Sequence, residues 1–273
     1  MKSSSSRRTL LKLASFMFPI AALGLPRKLF ALEGNEGLKL PLTDLFPTQP
    51  PELVREMVLV SHFDLKRVKE LVTARPSLAR AAWDWGFGDW EDGLGAASHV
   101  GNRPIAEYLI SMGARPSLFS ATMLGQLDVV KAFVAAQPGI QRIRGPHSIS
   151  LLAHAKNGGA SARPVFDYLQ SLGGADADPL VPLAESDISV LVGTYVFGTS
   201  ANQQIDVTAD KGQLTWTRKG TIGRGLIHLG NRVFHPMGAD AVRIGFAEDN
   251  GSVAMTINDP DVVLTARKKA AAK

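Results

Sequence analysis

The sequence predicts an α+β protein, an N-terminal array of helical repeats followed by a small antiparallel β-barrel-like domain. Three observations carry that expectation. The segment Gly125-Gln-Leu-Asp-Val-Val-Lys-Ala-Phe-Val134 has a near-copy 24 residues upstream, Gly101-Asn-Arg-Pro-Ile-Ala-Glu-Tyr-Leu-Ile110. Apolar residues between 55 and 176 recur at three- and four-residue spacings, the period of one buried helical face. After Pro179 the pattern changes to apolar–polar alternation cut by turn residues, the period of a strand. One helical repeat cannot bury its own apolar face, so neighbouring copies must stack, and a stacked array presents an extended recognition surface.

The chain of 273 residues is 45% hydrophobic and 20% charged, ordinary values for a folded protein with room for two domains. Its formal net charge of +5 sits at the ends. Residues 1–32 hold six Lys or Arg and no acid, and residues 267–273 hold four more and no acid. Residues 33–266 hold 20 basic against 25 acidic groups, a net of −5. A body of that charge has no broad basic face to neutralise phosphates, so nucleic acid is not an expected partner. The cysteine count of zero excludes a disulfide framework, a thiol nucleophile and a thiolate metal site.

Residues 1–32 read as an export signal. An apolar stretch from Leu13 to Leu25, broken by Pro19, spans about 20 Å as a helix, short of the roughly 30 Å of hydrocarbon a stable anchor must cross. Ahead of it, Ser6-Arg7-Arg8-Thr9-Leu10-Leu11-Lys12 resembles the twin-arginine export motif, with Leu10 where that motif favours Phe. The resemblance makes Arg7 and Arg8 the export signal. It implies a bacterial protein that crosses the membrane already folded, works in the periplasm or is secreted, and meets the membrane only in transit. A linker at 33–54, repeats at 55–180, a β domain at 185–268 and a basic tail at 269–273 complete the expected organisation.

Four repeat units align on their second helices: His62–Val72, the pair already quoted, and Val165–Ala175. Shorter helices precede them; Leu94-Gly-Ala-Ala97 and Leu118-Phe-Ser-Ala121 both place a Leu and an Ala at fixed distances ahead of Gly101 or Gly125, and the small residues allow close helix approach. This helix–turn–helix with a Gly-containing turn and a terminal Gly-Ala resembles the ankyrin repeat, although Thr-Pro-Leu-His is absent from every unit. The 24-residue step between units two and three is short of the ankyrin period of about 33. One β-hairpin finger is therefore expected to be missing at Gly113-Ala-Arg-Pro116. The resemblance implies a protein partner.

The connection Trp83-Asp-Trp85-Gly-Phe87-Gly-Asp-Trp90-Glu-Asp92 holds three of the four tryptophans, with acidic residues between them. Burying an indole contributes a few kcal/mol, so these rings either cover the end of a short array or form a binding surface. Trp83, Trp85, Phe87, Trp90 and Asp92 are the candidate binding residues, suited to stacking on a sugar or receiving a cation.

Beyond Pro179, eight strands are expected at Val190–Val196, Gln204–Val207, Gln213–Thr217, Gly225–Leu229, Arg232–His235, Val242–Phe246, Ser252–Ile257 and Val262–Ala266. Turn signals at Asp210-Lys-Gly212, Leu229-Gly-Asn231 and Asp249-Asn-Gly251 separate some of them, as in a meander that curls into a barrel. The segments Val192-Gly-Thr-Tyr195, Leu214-Thr-Trp216, Arg232-Val-Phe234, Ile244-Gly-Phe246 and Asp261–Ala266 resemble the small accessory domain of bacterial penicillin-recognising serine hydrolases, which implies an accessory or ligand-holding barrel.

The chain contains no Gly-x-Ser-x-Gly, His-Glu-x-x-His, Gly-Lys-Ser/Thr loop or Ser-x-x-Lys pair. His62 and His99 precede inter-helix turns, where an imidazole commonly bonds nearby backbone. His228 and His235 flank a turn, with Asp240 as a third donor for a metal or proton-transfer site. The expected function is an exported, non-enzymatic protein-binding scaffold with no catalytic residue, cofactor or metal. The alternative is a carrier of a small lipophilic ligand, or a weak hydrolase, using a cavity lined by Trp216, Phe234 or Phe246.

Overall fold

Four helical pairs and an eight-stranded barrel make up the computed structural model, which describes residues 45, 47–176, 180–259 and 262–270. The described residues belong to one compact unit, Leu40–Lys273. The expected signal peptide, Arg7 and Arg8, most of the linker and the end of the basic tail lie outside them.

The pairs are α1 (Pro51–Val60) with α2 (Leu65–Ala74), α3 (Gly93–His99) with α4 (Arg103–Ser111), α5 (Leu118–Met123) with α6 (Leu127–Ala136), and α7 (Leu151–Asn157) with α8 (Arg163–Leu172). Local chemistry sets their starts. Asp64, Asp92, Asn102 and Ser150 each accept a hydrogen bond from a first-turn amide, and Ser117 and Ser120 form a reciprocal capping box. The tryptophan-rich connection is not a loop. It folds as a hairpin of β1 (Ala82–Asp84) and β2 (Trp90–Asp92), with Trp83 opposite Glu91. By contrast, residues 113–117 run from α4 into α5 without a strand, as the short spacing predicted.

The first helices of successive pairs touch in order, α1 on α3, α3 on α5 and α5 on α7, but α7 also packs directly on α3. In a straight stack those two would be separated by a full repeat, so the array curls back on itself. The stacked apolar faces accordingly form two clusters rather than one continuous spine. One centres on Met57, Leu71, Leu94 and Leu109, the other on Leu118, Val130, Leu151 and Leu169. They divide at α5, whose Met123 belongs to the first and whose Leu118 and Ala121 belong to the second. Turn glycines permit the curl. Gly101 and Gly125 both have φ of +77°, and a Cβ on either would overlap a carbonyl oxygen, that of Asn157 at the end of α7 or that of Ser161 in the α7–α8 connection.

After α9 (Glu185–Leu191), eight strands follow as an antiparallel meander: β3 (Gly193–Val196), β4 (Gln204–Asp210), β5 (Gln213–Arg218), β6 (Arg224–Gly230), β7 (Val233–Pro236), β8 (Arg243–Asp249), β9 (Ser252–Asp259) and β10 (Val262–Lys268). Each pairs with the next, and β10 pairs with β3 to close the barrel. The expected first strand starts three residues too early, because Val190 and Leu191 end a helix and β3 begins at Gly193. Leu191 is buried in the barrel core, and the Tyr195 hydroxyl donates to its carbonyl at 2.8 Å. Left-handed pairs Lys211–Gly212 and Asn250–Gly251 make the tight turns that match strand twist. Inward-facing Tyr195, Trp216, Phe234 and Phe246 belong to the barrel core, and Phe234 also walls a cavity of about 240 Å³ with Leu214, Leu226 and His228.

Gly125→Ala combines left-handed backbone strain with a backbone overlap and is expected to lose about 3 kcal/mol or more of folding stability in urea denaturation. Gly159, at φ +67° with open space beyond it, is the control: Gly159→Ala is expected to lose only about 1–2 kcal/mol.

Candidate metal centre

The curl brings together four side chains from four separate segments. His62 follows α1, Glu91 lies on β2, His99 ends α3, and His147 sits in the connection before α7. One donor atom from each lies within 4.8 Å of the other three, and this is the one such group of three or more among the described residues.

Glu91 is the centre of the group and is almost fully buried, at 1% exposure. Its Oε2 accepts from the Trp85 indole N–H at 2.8 Å. Around it, His62 Nε2 lies 3.6 Å and His147 Nε2 3.5 Å from Oε2, while His99 Nε2 lies 2.9 Å from Oε1. His62 Nε2 and His99 Nε2 are 3.0 Å apart.

Neighbours determine which ring nitrogens face inward as donors. His62 Nδ1 lies 2.9 Å from the Leu59 carbonyl and 3.2 Å from that of Val58; a carbonyl only accepts, so Nδ1 carries the proton and Nε2 presents its lone pair. His147 Nδ1 donates to Asp89 Oδ2 at 2.7 Å, and the His147 backbone amide donates to Asp89 Oδ1 at 2.9 Å. Asp89 is itself paired with Arg224 of the barrel at 3.1 Å. A carboxylate–imidazole pair of this kind orients a metal-binding histidine and raises its basicity.

The hydrogen-bond accounts of this cluster do not close with protons alone. One proton on His99 Nε2 is shared between two candidate acceptors, His62 Nε2 and Glu91 Oε1. It aligns better with the imidazole, so the buried Glu91 Oε1, 2.9 Å from the same nitrogen, receives at most a poorly aligned share of it. A single cation among the four donors satisfies all of them. The observed separations of 2.9–3.6 Å are near the edge of about 3.3 Å that metal–nitrogen bonds of about 2.0–2.1 Å imply in a tetrahedron, and the spread of up to 4.8 Å across the whole set would close on binding.

Without an ion the electrostatics keep Glu91 ionised and His147 protonated, so a cation bound here would displace the His147 proton. Burial raises the Glu91 pKa, but hydrogen bonds from His147 and His99 and the surrounding imidazole charges outweigh it and hold it at about 2. Burial lowers His147, yet its bonds to Asp89 and Glu91 prevail and push it up to about 9. His62 is shifted down, first by burial and also by His99. His147 and Ser148 further adopt positive φ, 59° and 58°, a strained pair held by the contacts on both sides.

A cavity of about 330 Å³ adjoins the cluster on the side of His62 and His147, walled by Phe63, Trp85, Ile222 and Arg224. The His62 and His147 side chains retain 19% and 28% exposure, against none for Glu91.

The sequence-predicted binding residues divide among several roles. Trp85 bonds Glu91 and walls the cavity, Phe87 packs on Trp216 of the barrel with ring centroids 5.7 Å apart, and Asp92 caps α3 by accepting from Gly95 at 2.6 Å. Trp83 is half-buried, and only Trp90, 63% exposed, presents a free face. His62 makes the expected backbone bonds, but it and His99 also meet Glu91 and His147, which the sequence reasoning left out. His228 and His235 do not converge: His228 is opposite Phe234 and His235 opposite Ile227, so adjacent register positions send them to opposite faces. Asp240 lies 3.5 Å from His235 and accepts from Ser148. The register of units one and two was the available signal for the centre, since stacking neighbours places His62 beside His99.

No protein-family model, curated protein or solved structure matches this chain.

Behind the cluster, His154 of α7 is fully buried against Phe119. Its Nδ1 donates to the Ser150 carbonyl at 2.8 Å, Nε2 has no partner, and burial holds its pKa at about 4. Unfolded, this histidine binds a proton below about 6.5, whereas the folded state excludes it until about 4. Stability is therefore complete above about pH 6.5 and falls toward pH 4, by on the order of 3 kcal/mol from this group. Denaturation across that range is expected to show the fall, and His154→Leu to reduce its slope.

Proposed function

We propose that this protein is a metalloprotein whose working centre is one divalent first-row transition ion of the zinc class, held by His62, Glu91, His99 and His147. The observation that carries the reading is the buried Glu91 carboxylate ringed by three imidazoles, with one donor atom from each of the four residues within 4.8 Å of the others. Three neutral nitrogen donors and one carboxylate are the donor set preferred by such ions over calcium or magnesium, which favour all-oxygen sites.

The cavity beside His62 and His147 supports a binding or activating role rather than a purely structural one, because a closed structural site keeps no side toward a pocket. An ion there supplies Lewis acidity to an oxygen group entering from the cavity. The chain's own residues do the positioning: Asp89 orients His147, the Leu59 carbonyl orients His62, and the Trp85 indole steadies Glu91. In this reading the ankyrin-like helices serve first as the scaffold that assembles the centre. Recognition of a protein partner is a second use of the same array, and Trp90 is its most accessible aromatic residue. Export by the twin-arginine route fits a protein that acquires its ion and folds before translocation; the motif at Arg7 and Arg8 and the absence of cysteine support it.

Elemental analysis after zinc loading and dialysis is expected to find about one ion per chain. Free zinc at about 100 times its Kd is expected to stabilise the fold by about 2.7 kcal/mol in thermal denaturation. Glu91→Gln and His99→Ala are expected to abolish stoichiometric retention, and Asp89→Asn to weaken it by about 10–100-fold through the misoriented His147. A folded wild-type protein that retains no ion and whose melting temperature does not respond to zinc would sink the proposal.

A further inference from the structure

We infer that the cavity beside the metal centre is a ligand site for a small monoanion with a flat apolar body, of the class of aromatic monocarboxylates. The inference rests on the metal centre proposed above and adds the chemistry of what reaches it.

Size sets the first limit. At about 330 Å³ the cavity is at the small end of sites for organic ligands, enough for a single-ring molecule. Its walls set the second. Phe63 and Ile222 are 66% and 51% exposed, and they stand with Trp85 around one opening. The Trp85 N–H is committed to Glu91, so its ring offers the cavity only an apolar face. Two large apolar side chains left open beside a pocket are covered when an apolar body enters.

Charge sets the third limit. A dication, the Glu91 carboxylate and three neutral imidazoles sum to +1, and Asp89 with Arg224 sums to zero. Arg224 lines the cavity and directs hydrogen bonds to the Met237 carbonyl and Asp89, which use only part of its five N–H groups. Arg55 adds a further positive charge over the Trp85 ring, 5.9 Å from its centroid. An anionic oxygen group is drawn to this floor, and an ammonium is repelled.

The full chain loaded with Co(II) reports on both layers, because the visible spectrum of cobalt responds to its coordination. Titration with benzoate is expected to shift the cobalt bands, with affinity at least tenfold tighter than for acetate, while benzylamine leaves them unmoved. Ile222→Glu, which lies outside the ligand set, is expected to keep the cobalt spectrum and weaken benzoate at least tenfold. Cobalt bands that benzoate does not move overturn this inference and leave the metal centre standing. Equal affinity for acetate and benzoate, or an undiminished response in Ile222→Glu, overturns the assignment of an apolar body. Failure of any protein-bound cobalt spectrum to form overturns the metal centre and the ligand site together.

Discussion

The buried carboxylate of Asp89 is the interaction on which the rest of this architecture depends. It is 3% exposed, yet it receives the His147 imidazole and backbone amide and the Arg224 guanidinium. It lies so close to Gly238 that a Cβ there would overlap it. Asp89 and those partners come from three places: the hairpin that carries Asp89, the connection into α7 that carries His147, and the barrel that carries Arg224 and Gly238. Removing one member of a buried charged set leaves the others uncompensated, at a cost of about 3–5 kcal/mol, so the three segments hold one another in register.

A second clamp sits beside the first. The Ser148 hydroxyl donates to Asp240, and the Gly238 amide donates to Ser148 Oγ at 2.7 Å. The strained backbone at His147 and Ser148 is thus gripped by the hairpin on one side and the barrel on the other. Phe87 extends the hairpin into the apolar cluster of the barrel. The β domain therefore does more than follow the helices in sequence. It supplies the arginine that holds the aspartate that orients His147, and Ile222 from its β5–β6 connection walls the adjoining cavity.

The helical pairs, their glycine turns and the eight strands were legible because each is written in local periodicity. Asp64, Asn102 and Ser117 cap the helices they precede, and Asp210-Lys-Gly212 and Asp249-Asn-Gly251 make the turns their residue types require. The helical start of the 185–196 segment was less legible. Its apolar residues alternate well enough for a strand, and the helix there is stabilised by Leu191 entering the barrel core, a tertiary contact. The aromatic hairpin stands out in the sequence for its tryptophans, whereas the residue it places among the three imidazoles is Glu91, the acid that follows the last of them. Acidic residues are ordinarily solvated, and nothing in a linear pattern marks the one that is enclosed.

By itself, then, the sequence determined the helical pairs, their order and the curling antiparallel meander, since these follow from spacing, capping and turn chemistry between near neighbours. Only the tertiary structure decided that α7 returns to α3, that the apolar core divides at α5, and that His62, Glu91, His99 and His147 converge. Convergence depends on long-range packing and on the backbone approach at Gly101 and Gly125, and those contacts join segments whose separation along the chain carries no periodic signal.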